Sequence, residues 1–423
     1  MNEWSVWLTW VIFVLTYAGL ALGNVPGLRM DRAGIAFVGA TLMLVTGVLG
    51  LKEAVGPESI DFKTLFLLLG MMIVVGVLRL SGFFERLVGM AMRRIKTPKS
   101  LLAVTIGLSG TMSAFLINDV VCVALTPLVL HLARRMKFDP IPHLIGLATA
   151  ANVGSTGTIT GNPQNIYIGS HSGISYFRFA ARLLPVALLG LGLTYLVICL
   201  VYRNRLTAPT DQETLGKVEM SEDEGTPRSS RHARLQIKAL VVTLMAVVLF
   251  FTGLPLELVA LGAAAVSLLD RIKPDKIYRE VDWSLLVMFT GLFIVVHAFQ
   301  IHVVAGWGIE NWNWLLSRPN DLLSLVSAGL SNLVSNVPAV LLLEPVAQAV
   351  PEATRETAWL ALAMSSTFAG NLTVLGSVAN LIVVESARRA GVTITFWEYG
   401  KVGIPLTILT LGLGIAWLQF VRY

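Results

Sequence analysis

The chain is a series of apolar blocks separated by short polar segments. Most blocks are about 17–25 residues long, which is the length an α-helix needs to cross the hydrocarbon core of a bilayer. The first block has neither the basic leader nor the small-residue exit of a cleavable signal peptide, so it is predicted to be a retained span. The pattern predicts ten spans, at residues 4–22, 33–51, 64–80, 143–170, 180–202, 237–254, 256–270, 283–300, 357–385 and 399–421.

Two further apolar segments, residues 100–135 and 321–350, do not fit as single spans. The first lies between basic runs at residues 93–99 and 134–137, with Asn118 and Asp119 at its middle. Because Lys and Arg favour the cytoplasmic side, both ends of this segment are predicted to face the cytoplasm. The segment is therefore predicted to be a re-entrant hairpin, and residues 321–350 a second hairpin that opens to the outside.

Residue spacings recur between the two halves of the chain, at an offset of about 215–221 residues. Asp61 and Gly70 are matched by Asp282 and Gly291. Three more pairs share their spacing: Asn118 and Pro127 with Asn336 and Pro345, Gly161 and Asn165 with Gly376 and Asn380, and Phe177 and Pro185 with Trp397 and Pro405. Each half holds five spans, an odd number, so the second half must enter the membrane upside down. Inverted repeats with interrupted segments at matching positions are typical of secondary transporters.

The predicted fold class is an all-α polytopic membrane protein with two inverted repeats, each of five transmembrane helices plus one re-entrant hairpin. That makes about 10 spans and 2 hairpins. The first repeat covers residues 1–202, with its hairpin at about 100–135 and a broken span at about 143–170. A cytoplasmic linker covers 203–236. The second repeat covers 237–423, with its hairpin at about 321–350 and a broken span at about 357–385. Both termini are predicted outside a bacterial-type inner membrane.

Composition supports a membrane protein and argues against a soluble domain and against a nucleic-acid-binding protein. Hydrophobic residues make up 55% of the chain and charged residues 14%, against about 25% charged in a soluble domain. The net charge of +6 does not indicate nucleic acid, because the basic residues cluster at the ends of apolar blocks. Cys122 and Cys199 lie in apolar stretches without CxxC or Cys/His neighbours, so neither a disulfide nor a metal site is predicted.

Four predicted breaks interrupt the membrane helices. Two are the hairpin tips at residues 117–119 and 335–338; the others are NVGSTGTITGNPQN, residues 152–165, and GNLTVLGSVAN, residues 370–380. Unpaired backbone groups in a membrane are tolerated only where protein or a water-filled cavity satisfies them. Amide and hydroxyl side chains can coordinate a cation or donate to an oxyanion. The predicted substrate-binding residues are Asn118, Thr158, Thr160, Asn162, Asn165, Ser335, Asn336, Asn371, Thr373, Ser377 and Asn380. The alternative, that they only pack helices or cap the tips, stays open.

Asp119 is the candidate for ion coupling, because a carboxylate in the middle of an apolar hairpin is costly and is by default a functional hypothesis. It has no match in the second half, where Val337 takes its place. A cation ligand and a cap on the tip remain alternatives. Glu344, deep in the second hairpin, is a second coupling candidate. Asp61 and Asp282 precede helices and are predicted to be N-caps.

The four breaks contain neither Lys nor Arg. This argues against a site that neutralises a multiply charged anion with a fixed positive side chain. Three substrates stay open: a neutral hydroxide such as arsenous acid, an anion held by helix dipoles and bound sodium, or an exchanged cation.

The stretch LINDVVCVALTPLVL resembles the Asn-Asp hairpin of the arsenite permeases, and SNVPAVLLL resembles the second hairpin of several related branches. GNPQNIYIG and GSVANLIVV look similar to anion-permease members. The chain thus resembles the ion transporter superfamily, which includes arsenite efflux permeases, citrate and dicarboxylate carriers and sodium/proton antiporters. The resemblance covers nearly the whole chain and implies elevator-type alternating access and a homodimer.

The predicted function is secondary active transport of a small inorganic or organic solute across the lipid bilayer. Proton-coupled efflux of arsenite or antimonite is the leading prediction. An organic or inorganic anion carrier of the citrate/dicarboxylate kind is the first alternative, and a sodium/proton antiporter the second. A channel is disfavoured, because two hairpins and an asymmetric carboxylate fit alternating access better. The coupling ion is H⁺ or Na⁺, and no cofactor is predicted. Without a Walker motif, an arsenite pump would need an ATPase subunit for any ATP drive; no pair typical of an intramembrane enzyme is present.

Overall fold

A computed structural model of the protein describes residues 3–22, 30–92, 95–206, 230–270, 272–309 and 312–420. This part of the chain is α-helical and contains no strand. The first half holds α1 (Glu3–Leu22), α2 (Arg32–Val45), α3 (Leu51–Ala54), α4 (Phe62–Leu80), α5 (Phe83–Met92), α6 (Pro98–Phe115), α7 (Asn118–Arg135), α8 (Pro140–Ser155), α9 (Pro163–His171) and α10 (Tyr176–Val201). The second half holds α11 (Ser230–Phe250), α12 (Leu256–Leu268), α13 (Pro274–Tyr278), α14 (Trp283–His302), α15 (Asn313–Leu316), α16 (Leu322–Val334), α17 (Asn336–Ala349), α18 (Glu352–Ala369), α19 (Val378–Arg389) and α20 (Phe396–Phe420).

Six of these helices are long and apolar enough to cross a membrane, judged by length and composition. They are α1, α4, α10, α11, α14 and α20; α2, α12 and α16 are shorter apolar helices. The long helices keep large apolar side chains on their outer faces. On α10, for example, Leu188 is 59% exposed and Leu200 74% exposed. Such faces suit lipid, and the all-α polytopic membrane class is the one predicted from the sequence.

Two helices, α8 and α18, form the centre of the fold. Every residue of α8 from Pro142 to Ser155 is buried, and so is every residue of α18 from Ala358 to Ala369. A helix that is buried on all sides has to be surrounded by other helices. Both helices end in irregular backbone. Three-residue 3₁₀ turns, Ile159–Gly161 and Val374–Gly376, separate them from α9 and α19.

The predicted breaks fall where the helices stop. The segments predicted as broken spans contain α8 followed by α9 and α18 followed by α19. The segments predicted as hairpins contain α6 and α7, separated by Leu116 and Ile117, and α16 and α17, separated by Ser335. Helix α6 packs against α7, and α16 packs against α17.

Several boundaries differ from those predicted. Helix α2 ends at Val45 rather than 51, because Gly47 turns the chain with φ of 71°. Helix α5 was not predicted. Helix α11 begins at Ser230, inside the predicted linker 203–236, and residues 207–229 of that linker lie outside the described residues. Residues 1–2 and 421–423, the two termini predicted to lie outside the membrane, are not among the described residues either.

Two close helix contacts have the same construction. At Gly70 of α4, an added Cβ would lie 2.7 Å from the carbonyl carbon of Ala260 in α12. At Gly291 of α14, it would lie 2.7 Å from the carbonyl carbon of Ala36 in α2. Glycine is therefore required at both positions, because the backbones approach each other too closely for any side chain.

The acidic residues before these two helices act as predicted. Asp61 accepts hydrogen bonds from the backbone N–H groups of Lys63 (3.0 Å) and Thr64 (3.3 Å) at the start of α4. Asp282 accepts one from the N–H of Leu285 (2.9 Å) at the start of α14. Both are N-caps, which satisfy donors that the first helical turn leaves unpaired.

Candidate functional site

The two breaks that follow α8 and α18 are each closed by an asparagine. Asn165 Nδ2 donates to the carbonyls of Ser155 (3.2 Å) and Thr158 (3.0 Å). Asn380 Nδ2 donates to two carbonyls of the second break, at 2.7 and 3.1 Å. The last carbonyls of a helix have no partner within it, so in an apolar setting these amides supply the missing donors. The amide nitrogens of Asn165 and Asn380, two of the predicted site residues, are therefore already hydrogen-bonded to backbone carbonyls.

Asn152 of α8 joins these elements at the centre of the protein. Its Oδ1 accepts from Asn118 Nδ2 and from Ser377 Oγ, both at 3.0 Å. Its Nδ2 donates to Asn371 Oδ1 (2.9 Å) and Asn380 Oδ1 (3.0 Å). We call these five residues the amide centre. It brings the tip before α7 together with the break after α18, and none of its members carries a charge.

A second cluster lies around Thr367 of α18. Thr367 Oγ1 accepts from Asn162 Nδ2 (3.2 Å) and Gln164 Nε2 (3.1 Å). Asn162 also caps α9 by accepting from the N–H of Asn165 (2.9 Å). Asn336, with its amide turned as its surroundings require, donates to the carbonyls of residues 366 (3.0 Å) and 376 (3.3 Å) and accepts from Gln164 Nε2 (3.3 Å). Both tip asparagines thus contact the broken helices.

Thr158 and Thr160 contact the end of α6. The hydroxyl of Thr158 donates to the carbonyl of Ala114. The hydroxyl of Thr160 lies 2.8 Å from Tyr176 Oη and 3.4 Å from the carbonyl of Phe115. Both hydroxyls therefore pair with the C-terminal carbonyls of α6. The predicted role of Thr158 and Thr160 as substrate ligands would therefore depend on the remaining lone pairs of their hydroxyl oxygens.

Some polar atoms in this region have no partner among the described residues. They include two buried amide oxygens, Asn118 Oδ1 and Asn165 Oδ1, and three buried serine hydroxyls, Ser113, Ser331 and Ser365. An amide oxygen can only accept, so it can be satisfied by an N–H, an O–H or a cation and not by an anion. The arrangement therefore favours a solute that donates hydrogen bonds, or a cation.

The two candidate coupling carboxylates sit in different surroundings. Asp119 lies in the first turn of α7, is half-buried, and is close enough to Asp282 for the two charges to interact. Glu344 of α17 is 8% exposed. It accepts hydrogen bonds from Tyr167 Oη and from Gln348 Nε2, the latter at 2.9 Å. Glu344 is thus held by two hydrogen-bond donors.

Three cavities approach this region. The first, which we call the Arg32 cavity, has a volume of about 400 Å³ and is lined by Arg32, Asp282 and apolar residues of α1, α14 and α19. The second, of about 90 Å³, is lined by Asp61, Tyr167 and Glu344. The third, of about 350 Å³, also reaches Glu344.

Arg32 is a basic side chain beside one of the tips, although the four break sequences themselves contain neither Lys nor Arg. Its Nη1 lies 3.4 Å from Ser335 Oγ at the tip between α16 and α17. The two residues are 303 positions apart, so inspection of the break sequences could not reveal the contact.

The sequence prediction also missed Asn152, Gln164 and Thr367. Asn152 and Gln164 lie within the first break motif, and Thr367 follows Asn152 by 215 residues, the offset that relates Asn165 to Asn380. Applying that offset to every residue of the motif would have identified Thr367.

Six membrane-length helices, together with two buried, interrupted helices that meet at a polar centre, define a polytopic membrane transporter. The sequence profile of the citrate transporter family matches residues 8–369, and the chain belongs to that family. This confirms the resemblance to the ion transporter superfamily.

The relatives are also described as membrane proteins or transporters. Over 93% of each chain, the protein is 34% identical to the silicon efflux transporter LSI3 of Oryza sativa subsp. japonica. Over 97% of each chain, it is 30% identical to a 46 kDa membrane protein of Mycobacterium leprae. Its fold is similar to that of the Alcanivorax borkumensis YdaH transporter, with a TM-score of 0.58 and 16% identity over 99% of this chain and 97% of that one.

Proposed function

We propose that the protein is a proton-coupled secondary transporter that exports small uncharged metalloid hydroxides, with arsenite and antimonite as its substrates. The observation that carries this proposal is the uncharged amide centre, in which the amide oxygen of Asn118 is unpartnered, together with the unpartnered amide oxygen of Asn165 in the first break. Arsenous acid is neutral near pH 7 and carries several O–H donors, which suit oxygens that can only accept. An anion without hydrogens could not satisfy them.

The relatives support the same chemical class. The rice relative is described as a silicon efflux transporter. Silicic acid, like arsenous acid, is an uncharged hydroxide near neutral pH, so a binding site built from amides and hydroxyls suits both.

The topology we propose is the one predicted from the sequence, with inverted repeats at residues 1–202 and 237–423, two re-entrant hairpins and elevator-type movement. Three matched pairs of contacts support it. Gly70 packs on α12 as Gly291 packs on α2, Asn165 closes its break as Asn380 does, and Asp61 caps α4 as Asp282 caps α14. With both termini outside, the Arg32 cavity faces the cytoplasm and the cavities at Glu344 face outward.

In this proposal Asp119 carries the proton. It adjoins Asn118 of the amide centre, and Asp282, with which it interacts electrostatically, lines the Arg32 cavity. Glu344 is the second candidate, on the outward path.

Growth of a metalloid-sensitive bacterial host on arsenite tests the substrate. Expression of the chain should raise the tolerated concentration severalfold, and Asn152→Ala should abolish that gain. Asn320→Ala, which changes a buried asparagine outside the amide centre, is the matched control and should retain it. If the wild-type chain, present in the membrane at normal level, gives no protection, the substrate proposal fails.

Everted vesicles test the coupling. An imposed pH gradient should drive uptake of arsenite through the wild type but not through Asp119→Asn. Asp275→Asn, at an exposed position on α13, is the control and should behave as wild type. Undiminished gradient-driven uptake by Asp119→Asn would exclude this residue as the coupling site.

A citrate-like organic anion is the second candidate substrate, because the family is described by citrate transport. The same vesicles distinguish it. Uptake of labelled citrate in the absence of arsenite uptake would replace the metalloid proposal and leave the transporter class unchanged.

A further inference from the structure

The cavity of about 90 Å³ beside Asp61, which we call the Asp61 cavity, has a negatively charged wall. Its lining includes the exposed Glu58 and two further carboxylates, Asp61 and Glu344. Among the described residues that line it, none is Lys or Arg. Carboxylates grouped in a cleft without basic partners concentrate cations and exclude anions. The Asp61 cavity therefore suits a positively charged ligand.

Two histidines also line this cavity, and each lies near an acid. His171 Nδ1 is 3.6 Å from Asp61 Oδ2, and His297 Nε2 is 3.9 Å from Glu53 Oε1. An imidazole is uncharged above the pH range in which histidine titrates. At about pH 8 the wall of the cavity therefore keeps its excess of negative charge.

The wall also contains hydrogen-bond acceptors that the protein leaves free. Ser59 lines the cavity and is 6% exposed, and its hydroxyl has no hydrogen-bond partner among the described residues. Glu344 accepts from Tyr167 Oη and Gln348 Nε2, which leaves about two of the roughly four lone-pair positions of its carboxylate. Because a buried hydroxyl is normally paired, the unpaired hydroxyl of Ser59 indicates a place for a ligand atom.

Size and aromatic rings narrow the class of cation. The volume of about 90 Å³ has room for a few water-sized groups and lies well below the roughly 300 Å³ at which sites for drug-sized ligands begin. Tyr167 and Phe293 both line the cavity, and their ring centroids are 5.7 Å apart. Aromatic rings attract ammonium groups through their π faces. A small organic ammonium ion satisfies both conditions.

Direct coordination of a metal ion fits this cavity less well. Among the described residues, no three His, Cys, Asp or Glu side chains are grouped closely enough to hold one ion. Calcium and magnesium take about six or more oxygen ligands at short distances, whereas an ammonium ion needs one acceptor for each N–H group. The acceptors of the Asp61 cavity therefore favour ammonium.

We propose that the Asp61 cavity is a binding site for a small primary ammonium ion. The N–H groups of the ion donate to the carboxylate of Glu344 and to the hydroxyl of Ser59. Asp61, whose two oxygens already accept from α4, and Glu58 balance its charge. The cavity of about 350 Å³ shares Gln300 and Glu344 with this one, so the two cavities adjoin there. The site is distinct from the amide centre and does not depend on which solute is exported.

Binding can be measured by thermal unfolding of the purified full-length chain in neutral detergent at about pH 8. Sodium chloride is replaced stepwise by methylammonium chloride at constant ionic strength. We expect a saturable rise in Tm for the wild type, because a ligand that binds only the folded state stabilises it. Tetramethylammonium, which is larger and has no N–H donor, and magnesium should give no such rise at the same ionic strength.

Matched variants separate binding from general charge effects. Glu344→Gln should weaken the Kd for methylammonium by about tenfold or more, because a charge-assisted hydrogen bond is lost. Glu58→Gln removes an exposed carboxylate of the cavity and should weaken binding less, whereas Glu352→Gln removes an exposed carboxylate outside the cavity and should respond as wild type. If Glu344→Gln does not fold, Ser59→Ala provides the comparison, because it removes a hydroxyl that has no partner among the described residues.

The outcomes decide the proposal directly. A saturable response to methylammonium that is weakened in Glu344→Gln or Ser59→Ala and unchanged in Glu352→Gln supports it. The absence of a saturable rise, a rise that is equal in all variants, or an equal or larger rise with tetramethylammonium or magnesium overturns it. The assay contains no arsenite, so failure of the ammonium site and failure of the metalloid proposal are distinguishable.

Discussion

Replacement of Asn152 by alanine tests whether the amide centre holds the protein together. The substitution removes four hydrogen bonds of 2.9–3.0 Å and leaves their partners buried on α7, in the break after α18 and on α19. Hydrogen bonds between membrane helices average about 0.6 kcal/mol, and buried groups left without a partner cost about 1–3 kcal/mol each. We therefore expect a loss of about 2–4 kcal/mol in the free energy of unfolding.

The loss can be followed by tryptophan fluorescence during thermal unfolding in detergent. The substitution should lower Tm by roughly 4–8 °C. Because the chain is long, we expect the shift to lie toward the lower end of this range. Asn320→Ala is the control, because Asn320 is equally buried but has a single bond, from Nδ2 to the carbonyl of Ile415 at 2.8 Å. Its effect should be about a quarter as large.

A second variant tests which atom of the Asn152 amide donates hydrogen bonds and which accepts them. In Asn152→Asp the oxygen that accepts from Asn118 and Ser377 is retained. The nitrogen that donates to Asn371 and Asn380 becomes an oxygen facing two other oxygens. We expect a larger loss than for Asn152→Ala, because an unpaired buried charge is added to two broken bonds. Equal Tm values for Asn152→Ala and Asn320→Ala would refute the account of a central network.

Four further predictions use the same unfolding assay. Gly70→Ala and Gly291→Ala should each lower Tm by several degrees, because the new Cβ meets backbone at 2.7 Å, whereas Gly262→Ala on open α12 should be neutral or stabilising. Ser170→Ala should cost about 1 kcal/mol by losing its bonds to Asp61 and Thr64, both 2.8 Å, and Thr64→Val should add a comparable cost, because the hydroxyl of Thr64 also donates to Asp61. Ser335→Gly should raise stability by about 1 kcal/mol through relief of the positive φ; a fall in Tm would show that the serine is not strained. Tyr167→Phe should cost about 1–3 kcal/mol by removing a donor from buried Glu344, and Glu344→Gln should lessen that cost.

Most of the fold follows from local patterns. Block length located the long helices, and glycine- and asparagine-rich interruptions located the ends of α8 and α18. These features are predictable because the bilayer fixes helix length and because a break in an apolar setting needs polar side chains nearby. Helix α5 was missed, since a ten-residue helix beside a basic run has no membrane-length signature.

The site was predicted in its residue types but not in its pairings. The sequence indicated Asn118, Asn371 and Asn380, yet it could not show that all three are joined through Asn152. It also assigned no role to Arg32, whose partner Ser335 lies 303 residues away. These side-chain pairings depend on how whole helices pack against each other. A single sequence indicates them only where the two halves of the chain repeat the same residue spacing.

Residues that recur at matching positions in the two halves of the chain differ in role from residues that occur in one half only. Gly70 and Gly291 permit close packing, and Asn165 and Asn380 pair with broken backbone; each pair performs one structural task twice. Asp119 occupies a position where the second half has Val337, so a role held by it alone cannot be explained by the need to build the scaffold. In the proposed inverted repeat, the scaffold presents equivalent surroundings to both sides of the membrane, whereas coupling to an ion requires a group that differs between them. Asp119 is therefore a position where substitution should change transport while leaving Tm nearly constant, whereas substitution of the matched glycines and asparagines should lower both.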